Sequence, residues 1–157
     1  EPIKSIVKSY KLVIIEPKEI DESVNSETTN LNQLEAIKTA MILNELEFDR
    51  AIVDCPSNNI PAYREFLEVM FKKKINLSLE HNAERNIPVA AASILAKVTR
   101  DRIIAELEKK YGSIGSGYPS DPTTIKFLKE NRKKDLPIFR KSWATYKKLD
   151  QKGLKDY

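Results

Sequence analysis

Three runs decide the reading of the fold: Arg50-Ala-Ile-Val-Asp54, Ile75-Asn-Leu-Ser-Leu-Glu80-His-Asn-Ala-Glu84, and Pro88-Val-Ala-Ala-Ala-Ser-Ile-Leu-Ala-Lys-Val-Thr-Arg100. The apolar residues 51–53 deliver Asp54, and the breaker-rich Cys55-Pro-Ser-Asn-Asn59 follows at once. The carboxylate is therefore expected at the C-terminal edge of a strand, where open α/β sheets place their chemistry. Pro61 suits a helix start, and 62–71 reads as the helix that returns the chain to a second strand at 75–79. A strand, a helix and a strand of this length make a βαβ unit, which argues for parallel pairing. Pro88 then opens a long helix expected to continue to Lys110. Its small residues Ala90, Ala91, Ala92 and Ser93 allow close approach to a sheet, and Ile94, Val98 and Ala105 form its expected apolar stripe, flanked by Leu95 and Leu107. Its first turn would bring backbone amides and a positive dipole end near Glu84.

Working upstream, 12–15 reads as a buried strand stopped by Glu16-Pro17, and 18–29 as a polar turn and loop with a short helical turn at 17–23. Asn30 with Gln33, or Asn32 with Glu35, has the spacing of a capping box. The helix it starts would bury Leu34, Ile37 and Met41, extended by Leu31 and Leu46. Downstream, Gly112, Gly115 and Gly117 fall within six positions, which calls for tight turns or a close approach to the backbone. No Gly-Lys-Ser/Thr follows them, which argues against a nucleotide phosphate loop. Asp121 is placed to cap a helix over 123–132 with Pro122 at its first position, and a basic helix over 141–149 carries Trp143 and Tyr146.

At 157 residues with 41% hydrophobic content, the chain can bury one real core, so a single domain over 1–157 is expected, with 122–157 as a basic helical tail on or beside it. No apolar run approaches the length of a membrane span, and no basic-then-apolar leader is visible. Cys55 is the only cysteine, which rules out an internal disulfide and suits a reducing compartment; a cytoplasmic location is the expectation. With no adjacent base to activate it, Cys55 is expected to pack as a small residue. The net charge of +4 is unevenly spread. Between Lys126 and Lys155, eleven Lys and Arg face three acidic residues, a local +8 that leaves the rest at −4. A basic segment beside an acidic body attracts a polyanion and leaves carboxylates to hold a cation; an ordinary solvated face is the alternative.

Asp54 and Glu84 make a metal site only if the fold brings them together and further oxygen ligands join them; strand-end capping and surface charge are the other readings of each. His81, the single histidine, either moves a proton or orients a water beside Glu84, or makes a structural hydrogen bond. Without a thiolate cluster or a second histidine, a zinc site is not expected.

Glu80-His-Asn-Ala-Glu84, the small-residue run 88–101 and Tyr111-Gly-Ser-Ile-Gly-Ser-Gly-Tyr-Pro-Ser-Asp-Pro-Thr-Thr124 together resemble ribonuclease HII, its archaeal branch above all. The strand ending in Asp54, the helix start at Asn30-Leu-Asn-Gln-Leu-Glu-Ala36 and Arg140-Lys-Ser-Trp143 match the same family in the same order. The resemblance implies an RNase H-like α/β fold, a mixed sheet flanked by helices. It also implies Mg²⁺- or Mn²⁺-dependent endonucleolytic cleavage of the RNA strand in RNA–DNA hybrids and at ribonucleotides embedded in duplex DNA. On it, Asp54 takes the family's third acidic position and Glu84 the fourth, where Asp is usual, and both become metal ligands and catalytic residues with His81 beside them. Tyr118, with Gly117 before it, becomes the reader of the sugar at the RNA–DNA junction, with a half-buried tyrosine that anchors the loop as the alternative. From the residues themselves, Lys97, Arg100, Arg140 and Lys141 are candidate phosphate contacts, with Lys147 and Lys148 as further candidates and ordinary surface charge as the alternative for each, while Trp143 is expected to anchor the last helix rather than to stack on a base. The family's opening Asp-Glu-Ala-Gly-Arg-Gly strand, source of the first two acids, is absent from the sequence. The expectation is thus a truncated or split enzyme whose missing acids a separate N-terminal fragment would supply. A hybrid-binding module without catalysis is the competing class. A resolvase- or transposase-like nuclease is a third, against which the Gly-Ser-Gly-Tyr-Pro-Ser-Asp run argues.

Overall fold

The computed structural model describes residues 2–153, with side chains through residue 149. In chain order the elements are α1 (Pro2–Ile6), α2 (Pro17–Asn25), α3 (Leu31–Glu45), β1 (Ala51–Asp54), α4 (Ile60–Glu68), β2 (Leu77–Glu80), α5 (Ile87–Tyr111), α6 (Pro122–Asn131) and α7 (Ala144–Gly153). Single 3-10 turns lie at Ala83–Arg85 and Arg132–Lys134. The chain divides into two compact units, one of Glu1–Ile14 with Glu27–Ala96, the other of Ile15–Ser26 with Lys97–Tyr157. No helix of the described residues is long and apolar enough to cross a membrane.

In the first unit, the capping box forms at Asn30. Its Oδ1 accepts from the Gln33 amide at 3.0 Å, and Gln33 Oε1 accepts from the Asn30 amide at 3.1 Å, which fixes the start of α3. β1 and β2 pair in parallel, Ala51 opposite Leu77 and Asp54 opposite Glu80, with α4 as the crossover that the βαβ reading requires. The core gathers Ala36 and Ala40 of α3, Cys55, Tyr63 and Leu67 of α4, and Leu79 of β2. Leu67 is wholly buried, which for one leucine contributes about 1.5–3 kcal/mol. Cys55 is buried, as its packing role requires, and its thiol lies 3.5 Å from the Ser57 carbonyl.

Three expectations about burial are corrected. The inward face of α3 is Leu34, Ala36 and Ala40, while Met41 is 44% exposed. Alanines let α4 approach more closely than a row of long side chains would, so the small residues take the contact. Residues 12–15 form no strand, and Ile14 is exposed. An apolar run becomes a strand only when a neighbour completes its ladder, and among the described residues none pairs with it. In α5, Leu95 is the buried residue, whereas Ile94 and Val98 are exposed, because a stripe is buried only where another element covers it.

In the second unit, Ile114, Phe127, Leu128 and Phe139 form a separate core. Phe139 meets Phe127 edge-on at 6.0 Å and Tyr146 of α7 at the same distance. Asp121 caps α6 as expected, its Oδ1 accepting from the Thr123 amide at 2.8 Å. The segment 17–25, expected as loop with a helical turn, is a full helix. Its Asp21 accepts from the amides of Lys141 and Ser142 at 2.8 and 2.9 Å, which holds these residues in a turn and delays α7 to Ala144. Of the basic segment, Lys126, Lys129, Lys133, Lys134, Lys147 and Lys148 are exposed. The Lys152 side chain and all of 154–157, Lys155 included, lie outside the described residues.

Candidate active site

Asp54 is the last residue of β1 and lies in register with Glu80, the last residue of β2, so two carboxylates end adjacent parallel strands. Beyond Glu80 the chain turns sharply at Asn82, whose φ of 53° is left-handed, a region that Asn tolerates better than most residues. That turn sets the Ala83 amide against Asp54, with Oδ1 accepting at 3.2 Å. The next residue, Glu84, rides on the same 3-10 turn, which packs against β1. The sequence-designated pair is thus brought to one strand edge, and both residues are exposed.

His81 is exposed, with Nδ1 3.1 Å from the Cys55 carbonyl. A carbonyl only accepts, so Nδ1 is the donor in this bond. Together with the Cys55 amide donating to the Glu80 carbonyl at 2.8 Å, this bond ties the two strand ends.

The residue that the sequence reading passed over is Glu80. Its Oε2 accepts from Arg85 at 2.9 Å and from Asn86 at 3.3 Å, and its Oε1 from the Ser78 hydroxyl at 3.1 Å. The Arg85 hydrogen bond, then that of Ser78, holds its carboxyl below the usual glutamate range. These bonds brace the turn that carries Glu84. The strand register was the signal that could have found it.

Among the described residues no group of three or more His, Cys, Asp or Glu converges as a metal-holding set. Asp54 and Glu84 are hard oxygen donors of the type that Mg²⁺ and Mn²⁺ take, but two carboxylates fall short of a two-ion donor set.

The other designated residues lie in the second unit. Tyr118 is 50% exposed at the end of the glycine-bearing loop. The Arg100 guanidinium covers its ring, 4.0 Å from the centroid, and Nη2 donates to the Ser116 carbonyl at 2.8 Å. Gly117 has φ +74°, and a Cβ there would lie 2.9 Å from Arg100 Nη2, so glycine is what lets the two approach. Lys97 is exposed. Lys141 Nζ lies 2.6 Å from Asp135, a bond that raises its pKa. Arg140 is half-buried, and its Nε has no hydrogen-bond partner. The Asp21 carboxyl sits below its usual range despite the opposing effect of burial, which hydrogen bonds from Ser142 and Lys141 and the charge of Arg140 outweigh. Trp143 is half-buried immediately before α7.

Known proteins resemble this chain in sequence and fold. The family model described as Ribonuclease HII matches residues 2–146. Ribonuclease HII of Pyrococcus furiosus is 41% identical over 155 residues, covering 95% of this chain and 67% of its own length. That of Thermofilum pendens is 42% identical, with 94% and 73% covered. Among solved structures, ribonuclease H2 from Pyrococcus horikoshii OT3 superposes with a TM-score of 0.85 at 36% identity, covering 98% of this chain and 74% of that one. The RNase HII in the PCNA complex from Archaeoglobus fulgidus gives 0.76 at 34% identity, with 94% and 71% covered. The fold is accordingly RNase H-like α/β, a mixed sheet flanked by helices, of which β1 and β2 supply a parallel pair. The chain spans between two thirds and three quarters of the length of these relatives, and from the family match together with these likenesses it belongs to the ribonuclease HII family.

Proposed function

We propose that this chain provides the substrate-reading surface and part of the metal-holding set of an endonuclease that cleaves the RNA strand of RNA–DNA hybrids and ribonucleotides embedded in duplex DNA. The observation that carries the reading is the hydrogen bond from the Ala83 amide to Asp54, which joins the strand end bearing one carboxylate to the turn bearing the other. Asp54 and Glu84 would hold Mg²⁺ or Mn²⁺, an ion that neutralises charge on the phosphate and activates water when bound. Tyr118 would stack against the sugar at the junction, and exposed lysines, Lys97 among them, would contact phosphates.

The donor count requires more carboxylates than the described residues bring together, so the reading includes a further polypeptide segment that carries them. β1 has one strand neighbour among the described residues, and a segment pairing along its other edge would end beside Asp54. The test is cleavage of a duplex containing one ribonucleotide in Mg²⁺ or Mn²⁺, with the chain alone and with an added acidic N-terminal fragment of a family member. Cleavage that requires the fragment supports the reading.

The absence of a three-residue metal-holding group among the described residues favours a second reading, a hybrid-binding chain without catalysis. Affinity that persists in EDTA, with no cleavage under any of these conditions, would establish it.

A further inference from the structure

The loop before Tyr118 has four successive amides, and each donates to a side chain. Ile114 and Gly115 both donate to Glu108 Oε1 at 3.0 Å. Ser116 donates to Asp121 Oδ2 at 2.6 Å, and Gly117 to Thr124 Oγ1 at 2.9 Å. The acceptors come from both flanking helices, Glu108 from the last turn of α5, Thr124 from the first turn of α6 and Asp121 from its cap. Runs of unpaired amides in turns attract anions. Here two of the chain's own carboxylates and a buried hydroxyl already take these donors, so the loop has no amide run left to offer a phosphate.

The backbone is shaped to the same end. Gly115 and Gly117 both sit at φ +74°, and a Cβ on Gly115 would lie 2.6 Å from Asp121 Oδ2. Glycine at these two positions lets the acceptors reach the amides. The result is a loop in which the amides of 114–117 are all engaged before any ligand arrives, with a half-exposed aromatic ring at its end.

We propose that Glu108, Asp121 and Thr124 are positioning residues for hybrid recognition, acting through Tyr118 by fixing the loop that presents its ring. The proposal rests on the reading of Tyr118 as the substrate contact. A ring held in its binding geometry beforehand loses little freedom on stacking, so the clamp acts on affinity rather than on bond breaking. Asp121 also caps α6, which makes Glu108 and Thr124 the cleaner residues to change.

The experiment uses the whole chain with the variants Glu108→Ala, Glu108→Gln, Thr124→Val, Tyr118→Ala and Glu108→Ala/Tyr118→Ala. Amide hydrogen exchange over 112–118 is read on the free protein. Affinity for a duplex with one embedded ribonucleotide is read by anisotropy in EDTA. Glu108→Ala is expected to speed exchange at 114 and 115 by about 10-fold or more, since local opening free energies set these rates. It is expected to weaken hybrid binding by roughly 3- to 10-fold, and to add nothing in the Tyr118→Ala background, because residues acting through one another are not additive. Glu108→Gln, which keeps the accepting oxygen, restores both readouts. Thr124→Val, nearly isosteric, reproduces the effect at 117 should Glu108→Ala fail to fold.

Unchanged exchange in both Glu108→Ala and Thr124→Val overturns the clamp. An equal loss of affinity with and without Tyr118 overturns action through the ring. If Tyr118→Ala weakens binding while Glu108→Ala and Thr124→Val speed exchange without affecting affinity, positioning fails and the recognition reading stands. If Tyr118→Ala leaves affinity intact, that reading fails and the positioning proposal falls with it, even where exchange responds.

Discussion

The guanidinium of Arg100 stacks on the Tyr118 ring at 4.0 Å while its Nη2 holds the Ser116 carbonyl two residues earlier. A side chain used in both ways supports the loop, although the sequence marks it as a phosphate contact. Arg100→Met should therefore weaken hybrid binding by about 2- to 5-fold, the worth of an exposed cation–π contact. The dependence of affinity on salt should not change. A phosphate contact would instead lower the salt slope by about 1, which binding measured over a salt series would detect.

Asp54 and Glu84 are exposed, so replacing them should separate activity from stability. In the complemented enzyme, Asp54→Asn and Glu84→Gln should each reduce cleavage by at least about 100-fold, by analogy with removal of a charge-stabilising group. Asn retains the oxygen that accepts from Ala83, and thermal unfolding should shift by no more than about 0.5 kcal/mol, as for other surface changes. Full cleavage by either variant would remove that residue from the metal set.

Asp121 contributes to the acid response. Its carboxyl is held at about 2, well below its ordinary 3.8, chiefly by the amide and hydroxyl of Ser116 and the amide of Thr123. As pH falls below 3.8 the unfolded chain takes up the proton first. The contribution is therefore complete above that value and is lost as pH falls toward about 2. Thermal melts through this acid window should show a steep fall in stability that Asp121→Asn makes shallower. An identical slope in the variant would assign the acid response to other groups.

Gly115 and Gly112 both have positive φ, but only Gly115 is crowded. A Cβ at 115 would meet Asp121 Oδ2, Thr123 Cβ and the Thr124 amide within 3.0 Å, whereas one at 112 meets nothing within 4 Å. Gly112→Ala should cost about 1–2 kcal/mol, the left-handed penalty alone. Gly115→Ala should exceed it by about 1–3 kcal/mol, as overpacking does, and should disturb the amide signals of 115–117. Equal melting losses for the two would show that the clamp yields without resistance.

Local chemistry made part of this legible from the chain itself. The capping box at Asn30 and Gln33, the Asp121-Pro122 helix start, Asp54 at the end of an apolar run and the parallel βαβ pairing each depend on residues close in sequence or on a connection of fixed hand, so their patterns carry them. The run 80–124 was specific enough to point to the family. Burial was another matter. Whether Ile94, Met41 or residues 12–15 face a core depends on what else covers them, and a single element's periodicity holds no record of its neighbours. The same reason hid the use of charged groups: Arg100 reads as a cation, and Glu80, Glu108 and Asp121 as acids, until the fold shows the oxygen, ring or amide each one meets. Sequence determined which residue types were available and in what order. Tertiary structure decided which partner each of their polar groups meets, because a hydrogen bond between residues such as Asp54 and Ala83 exists only once strand and turn have come together.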